Sequence, residues 1–119
     1  MDDETLQMTM LFDFFGDLLT EKQREYFDLY HNEDLSLSEI AEKACISRQG
    51  VYDIVTRAEK TLALMEQKTG VVRRWQETRA ELEKAEVLAR ELLIMPDISD
   101  NAAEVAHKLV NTLEMLTGD

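Results

Sequence analysis

The stretch from Ser36 to Arg57, SLSEIAEKACISRQGVYDIVTR, admits essentially one local architecture: two helices joined by a tight turn. Ser36 is a helix N-cap, and Glu39 three residues on completes a capping box. Leu37, Ile40, Ala41 and Ala44 then give the first helix an apolar stripe. A short turn follows at Cys45 and Ile46, where such turns often carry glycine. Ser47 caps a second helix whose inward positions are Val51, Ile54 and Val55. Small Ala41 permits close approach of the two helices, Ile46 is expected to plug the corner, and Cys45 to sit half-buried. Together these features specify a helix-turn-helix, a motif that usually lays its second helix in the major groove of DNA.

Charge complicates that reading. The chain has 119 residues, 25 acidic and 13 basic, for a formal net charge of -12. Nucleic-acid binding draws on phosphate neutralisation, and a basic patch is its expected footprint. Residues 1–43 hold 12 acids and 3 bases, net -9; residues 44–74 hold 3 acids and 6 bases, net +3; residues 75–119 hold 10 acids and 4 bases, net -6. The second helix and its extension therefore form a weakly basic island between acidic flanks. No apolar run approaches the ~20 residues a membrane span needs. The acidic start MDDET is unlike a signal peptide, and a single cysteine makes no internal disulfide. These features predict a cytoplasmic protein with no membrane partner.

Helix-period signals fill the remainder. Met8, Leu11, Phe12, Phe15, Leu18 and Leu19 suit one helix face over residues 6–19, with Met10 and Phe14 beside it and Gly16 placed to end or bend it. Thr20 and Gln23 make a second capping box, opening a helix through about Tyr30 that buries Tyr26, Phe27 and Tyr30. His31 to Asp34 is expected to be loop. The helix from Ser47 shows no stop before Gly70, about six turns at roughly 3.6 residues each, so its distal half with Leu62, Leu64 and Met65 should project beyond the head. Another helix runs from about Val71 to before Pro96. Trp75, Leu82 and Ala89, with Thr78, Ala85 and Leu92 between them, suggest an a/d-like seam. A last helix begins near Ser99 or Asp100, with Ala102, Ala106, Leu109, Leu113 and Leu116 as its stripe. The expected organisation is a head domain over 1–68 and a C-terminal helical extension over 69–119. The projecting helix and the 75–92 seam predict a homodimer; the alternative is that helices 71–95 and 100–116 fold back as a hairpin within one chain.

The solvent side of the second motif helix holds Ser47, Arg48, Gln49, Tyr52, Asp53 and Thr56, with Arg57 near its edge. Arg48 and Gln49 suit guanine and adenine, while Asp53 opposes phosphate. The competing reading is a solvated face on a head used for protein contacts. Lys68, Arg73, Arg74 and Arg79 surround Trp75 in sequence. That combination can hold looped RNA by stacking; alternatively Trp75 is buried in the C-terminal seam. His31 and His107 stand alone, without a partner at ligand spacing, so no metal or other cofactor is expected. No nucleophile–base pair, phosphate-cradling loop or paired-carboxylate motif is present, which argues against an enzyme.

Residues 18–57 resemble region 4 of bacterial sigma factors in helix order. LFDFFGDLLTEKQREYFDLY from Leu11 and SLSEIAEKACISRQGVYDIVTRAE from Ser36 resemble more closely still the YlxM family of small bacterial helix-turn-helix proteins, with SRQGVYD the most specific piece. The resemblance covers about half the chain; residues 71–119 match in helical character only. It implies an all-α fold: a sigma-region-4-like helix-turn-helix head with a long recognition helix and a C-terminal helical extension. It also implies a regulatory or accessory role in the signal recognition particle pathway, with the particle's GTPase and its RNA as partners. The residues themselves leave a DNA-binding transcriptional regulator as the alternative, using Arg48, Gln49 and Thr56.

Overall fold

The structure is a computed structural model that describes residues 3–118. It is all-α. The helices are α1 (Asp3–Phe15), α2 (Glu21–His31), α3 (Leu37–Ala44), α4 (Arg48–Thr69), α5 (Val71–Leu93) and α6 (Asp100–Thr117), with a 3₁₀ turn over Gly16–Leu18. Each cap expected from sequence forms. The Thr20 hydroxyl accepts from the Gln23 amide at 3.2 Å while the Gln23 side chain accepts from the Thr20 amide at 3.1 Å. Ser36 and Glu39 make the same reciprocal pair at 3.1 and 3.0 Å. Ser47 accepts from the Gly50 amide at 2.9 Å. The structure adds a cap that was not expected: Ser99 caps α6 through Ala102 at 3.1 Å. These bonds satisfy amides that a helix start otherwise leaves without partners.

The chain forms two compact units, divided between Val72 and Arg73. The division falls there because Val72 is fully buried in the first unit's core, where it joins Leu11, Phe15, Leu19, Phe27, Ala58 and Leu62. A second cluster in that unit, Tyr26, Ile40, Ala41, Val51 and Val55, locks α3 and α4 against α2. Gly70, with φ of 63°, ends α4 in the left-handed conformation that glycine adopts without a Cβ penalty.

Several expectations for this unit need correction. The distal half of α4 does not project: α1 lies on it, and Leu62 is fully buried, leaving Leu64 on the outside. In α1 the helix stops at Phe15 and the 3₁₀ turn re-phases the chain, so Leu19 is buried and Leu18 is exposed. The Phe12 ring occupies the space a Cβ on Gly16 would need, at 3.1 Å, and stacks on Phe27 with centroids 4.8 Å apart. His31 is not in a loop but closes α2. Its ring packs on Phe27 and its Nε2 lies 2.8 Å from Glu59 Oε2 of α4, which leaves Tyr30 outside. Ile46 and Cys45 are both exposed rather than tucked in, because Ile40, Ala41, Val51 and Val55 already close the corner.

In the second unit α5 and α6 fold back as a hairpin. Ala89, Val110 and Leu113 form its small core, lined further by Leu82, Ala85 and Leu93. An ion pair joins Arg90 to Glu114 along one side. The buried stripe follows the 3.6-residue helix rather than the heptad. At 3.6 residues per turn Leu93 lies nearer the Ala89 direction than Leu92 does, so Leu93 enters the seam, while Leu92 and Trp75 are exposed. On α6 the buried set is Ala106, Val110, Leu113 and Thr117; Leu109 and Leu116 lie outside.

Candidate functional site

The exposed side of α4 begins at a strained turn. Cys45 ends α3 with φ of 59° and ψ of 39°, and the Ile46 amide reaches back to the Ala41 carbonyl at 3.2 Å. This left-handed residue turns the chain so that α4 can start two residues later at its Ser47 cap. Val51 and Val55 then point into the head, which directs the opposite face outward.

Of the residues the sequence placed on that face, Arg48, Gln49, Tyr52, Asp53 and Arg57 are exposed and Thr56 is half-buried. Gln49 and Asp53 engage each other: the Gln49 amide donates to Asp53 Oδ1 at 2.9 Å. The amide best suited to adenine is thus occupied by a neighbouring carboxylate. No carboxylate pairs with Arg48 or Arg57 among the described residues. They sit at the two ends of the face, with the Gln49–Asp53 pair and the Tyr52 ring between them. The arrangement offers two phosphate-binding cations and one aromatic surface, but a carboxylate stands at its centre.

In the second unit Trp75 is about two-fifths exposed. The Arg79 guanidinium lies over its ring, 5.3 Å from the centroid. Such cation–π contacts contribute about 0.5–1 kcal/mol at exposed sites. Arg79 also reaches Glu83 at 3.2 Å, and Arg73 lies 4.0 Å from Glu77. Burial of Trp75 in the seam is therefore overturned, and Arg73 and Arg79 beside it are engaged by acids one helical turn on.

One feature lay beyond the sequence reading. A cleft of about 550 Å³ opens on the first unit, with Glu4, Asp34, Glu39 and Glu59 around His31 and Tyr30. Three of the four carboxylates come from the acidic first third of the chain, which told of charge but not of its convergence. Glu59 joins them because α4 crosses α2 at His31. Backbone and hydroxyl hydrogen bonds from Ser36 hold the Glu39 carboxyl below its ordinary value. The cleft is suited to cationic groups such as lysine and arginine side chains.

Fold and exposed α4 face together define a helix-turn-helix protein. The chain belongs to the UPF0122 family of YlxM/p13-like helix-turn-helix proteins, whose family profile it matches over residues 2–109. It is 46% identical over 112 residues to a UPF0122 protein of Thermoanaerobacter sp. (strain X514), covering 92% of this chain and 96% of that one. It is 42% identical over 119 residues to a UPF0122 protein of Shouchella clausii, covering 98% and 99%. A relative from Bacillus cereus (strain AH187) is 44% identical over 116 residues, covering 98% and 99%.

Proposed function

We propose that this protein is a non-enzymatic accessory of the signal recognition particle, acting in the cytoplasm on the particle's GTPase and RNA. The observation that carries the reading is the Gln49–Asp53 pair at the centre of the α4 face. A duplex reader needs that position to donate to bases and tolerate phosphate. Here it holds a carboxylate that repels phosphate and an amide already engaged. The exposed ends, Arg48 and Arg57, still suit isolated phosphates of a folded RNA. The carboxylate cleft around His31 suits a basic protein surface. An acidic protein is steered towards such a surface, which raises the association rate more than the final affinity. The link to this particular particle comes from the YlxM resemblance; charge and geometry supply a consistent mode of contact.

The test is binding of the full chain to the reassembled particle. Saturable binding is expected, with a dissociation constant below ~10 µM, a generous ceiling even for weak complexes. No binding at that concentration overturns the proposal. The DNA-regulator reading keeps one observation in its favour, the two arginines on α4 without carboxylate partners. It predicts nanomolar affinity for a specific duplex in ~0.15 M salt, with a steep salt dependence.

A further inference from the structure

Trp75 is the single tryptophan of the chain, and its ring is 41% exposed. Tryptophan is highly buried on average, and its spacing to Leu82 and Ala89 puts this one on the seam side of α5. It stays open because α5 outruns its partner. The two helices leave the same turn, but α5 has 23 residues and α6 has 18. At roughly 1.5 Å per residue, the first five residues of α5 run about 7–8 Å beyond the last turn of α6. Trp75 is the fifth of them. Basic side chains gather at the same place. Residues 73–79, RRWQETR, hold three arginines and one acid, net +2, in an otherwise acidic unit. The Arg79 guanidinium lies over the ring, 5.3 Å from its centroid, and its pair with Glu83 holds it there. Arg73 and Arg74 are exposed just before the ring.

We infer that this end of α5 is a binding site for unpaired RNA. One base stacks on the open part of the Trp75 ring, and the guanidiniums of Arg73, Arg74 and Arg79 take the flanking phosphates. Three observations select this ligand. First, an exposed indole beside a guanidinium offers a stacking surface and a cation together, the combination that holds unpaired bases in looped RNA. Second, all three cations are arginines, whose planar forks fit phosphate oxygens in pairs. Third, the exposed residues on either side of the ring, Arg73, Arg74, Gln76, Glu77 and Thr78, are all polar. A protein partner would find one aromatic without the apolar surround that excludes water at an interface hot spot. The neighbouring acids do not close the site. The Arg73–Glu77 and Arg79–Glu83 pairs are exposed contacts one turn apart on the helix, a kind that contributes little, so phosphate competes for the same donors. More distant acids weigh less, because at ~0.15 M salt screening acts over about 8 Å. The inference goes beyond the proposed function, since it requires unpaired RNA but no particular RNA.

The test uses the full chain with a short oligoadenylate RNA and a fully paired RNA duplex of equal length. Because Trp75 is the only indole, tryptophan fluorescence reports on this site alone. Oligoadenylate is expected to quench it saturably, with a dissociation constant below ~100 µM, and the duplex to quench it far less. Anisotropy of labelled oligoadenylate gives a second readout. Trp75→Leu should weaken binding ~5- to 100-fold, the range for losing one stacking partner. Trp75→Phe keeps a ring and should retain most of the affinity. Arg74→Gln should weaken binding several-fold and flatten its salt dependence. Lys108→Gln, at an exposed position on α6, is the control and should leave binding unchanged. Each of these side chains is exposed, so the helical circular dichroism spectrum should persist throughout. Absence of quenching at ~1 mM oligoadenylate overturns the inference. So does equal binding of the duplex, or a loss from Lys108→Gln as large as that from Trp75→Leu. A Trp75→Leu chain that keeps its affinity for oligoadenylate but no longer binds the particle's GTPase assigns the ring to a protein and also overturns it. The RNA probes contain no part of the particle, so failure here and failure of the proposed function are read separately.

Discussion

Cys45 shows how one residue sets the motif's geometry at a cost. A side chain in the left-handed region is strained by about 1–2 kcal/mol, a penalty glycine avoids. Its thiol is exposed and makes only a weak, 4.0 Å contact with the Glu42 carbonyl. Cys45→Gly is therefore expected to stabilise the head, by up to about 1 kcal/mol after the extra chain entropy of glycine is subtracted; an unfolding midpoint in urea measures it. Ser36 and Glu39 yield a prediction in pH. The Ser36 amide, then its hydroxyl, holds the Glu39 carboxyl below its ordinary value in the folded chain. A lowered folded value means the unfolded state takes up the proton first. The stabilisation is thus fully present above the unfolded carboxylate range and is lost as pH falls through the folded value. Glu39→Gln keeps the reciprocal bond, as Gln23 does beside Thr20, but does not titrate. The wild-type advantage over Glu39→Gln should be present at pH 7 and shrink as pH falls through the acid range; parallel unfolding curves across that range decide it. At this scale the sequence was most legible. Caps depend on residue type at fixed short spacing, and the expected caps at Thr20, Ser36 and Ser47 all form. The His31–Glu59 pair was not legible, because it joins residues 28 positions apart and only helix packing brings them together.

Among the elements, α4 is the one whose surroundings the sequence left open. Its 22 residues exceed what α2 and α3 can cover, and α1 returns from the N-terminal side to cover the excess. Leu62→Ala should cost about 2–5 kcal/mol, the range for emptying a well-packed leucine site. Leu64→Ala, on the exposed side, should stay within about 0.5 kcal/mol. Equal losses from the two would contradict the packing of α1 on α4. Helix existence and order were legible because apolar residues recur at helical spacing throughout. Phase was less so in α5 and α6, for a physical reason. Both helices carry two apolar stripes, one buried in the hairpin and one exposed, so spacing alone does not say which is inside. Leu109 and Leu116 fit a stripe as well as Val110 and Thr117 do, and only the partner helix decides between them. The candidate site shows the same division. The outward face of α4 follows from Val51 and Val55 facing inward, whereas the Gln49–Asp53 bond is a choice of rotamers.

Over the whole molecule, charge is unevenly spread. The net -12 opposes approach to duplex DNA, while its concentration in the first third, net -9, leaves α4 weakly basic. A chain of this kind is expected to associate with a basic protein surface faster at low salt. Raising salt from 0.05 to 0.2 M, across a range where screening lengths shorten from roughly 14 to 7 Å, should slow the on-rate several-fold and leave the off-rate nearly unchanged. Stopped-flow mixing with the particle measures both, and a salt effect confined to the off-rate would contradict steering. Under the proposed function, two surfaces of opposite sign, the cleft around His31 and the arginines of α4, engage one ribonucleoprotein. The most direct measurement is a parallel titration of the full chain, at ~0.15 M salt, against the GTPase alone, the RNA alone, the reassembled particle and a mixed-sequence duplex. Binding to the particle is expected to be at least ~10-fold tighter than to either part, a gap of about 1.4 kcal/mol, with the duplex weakest of the four. Duplex affinity equal to or above that for the particle would contradict it.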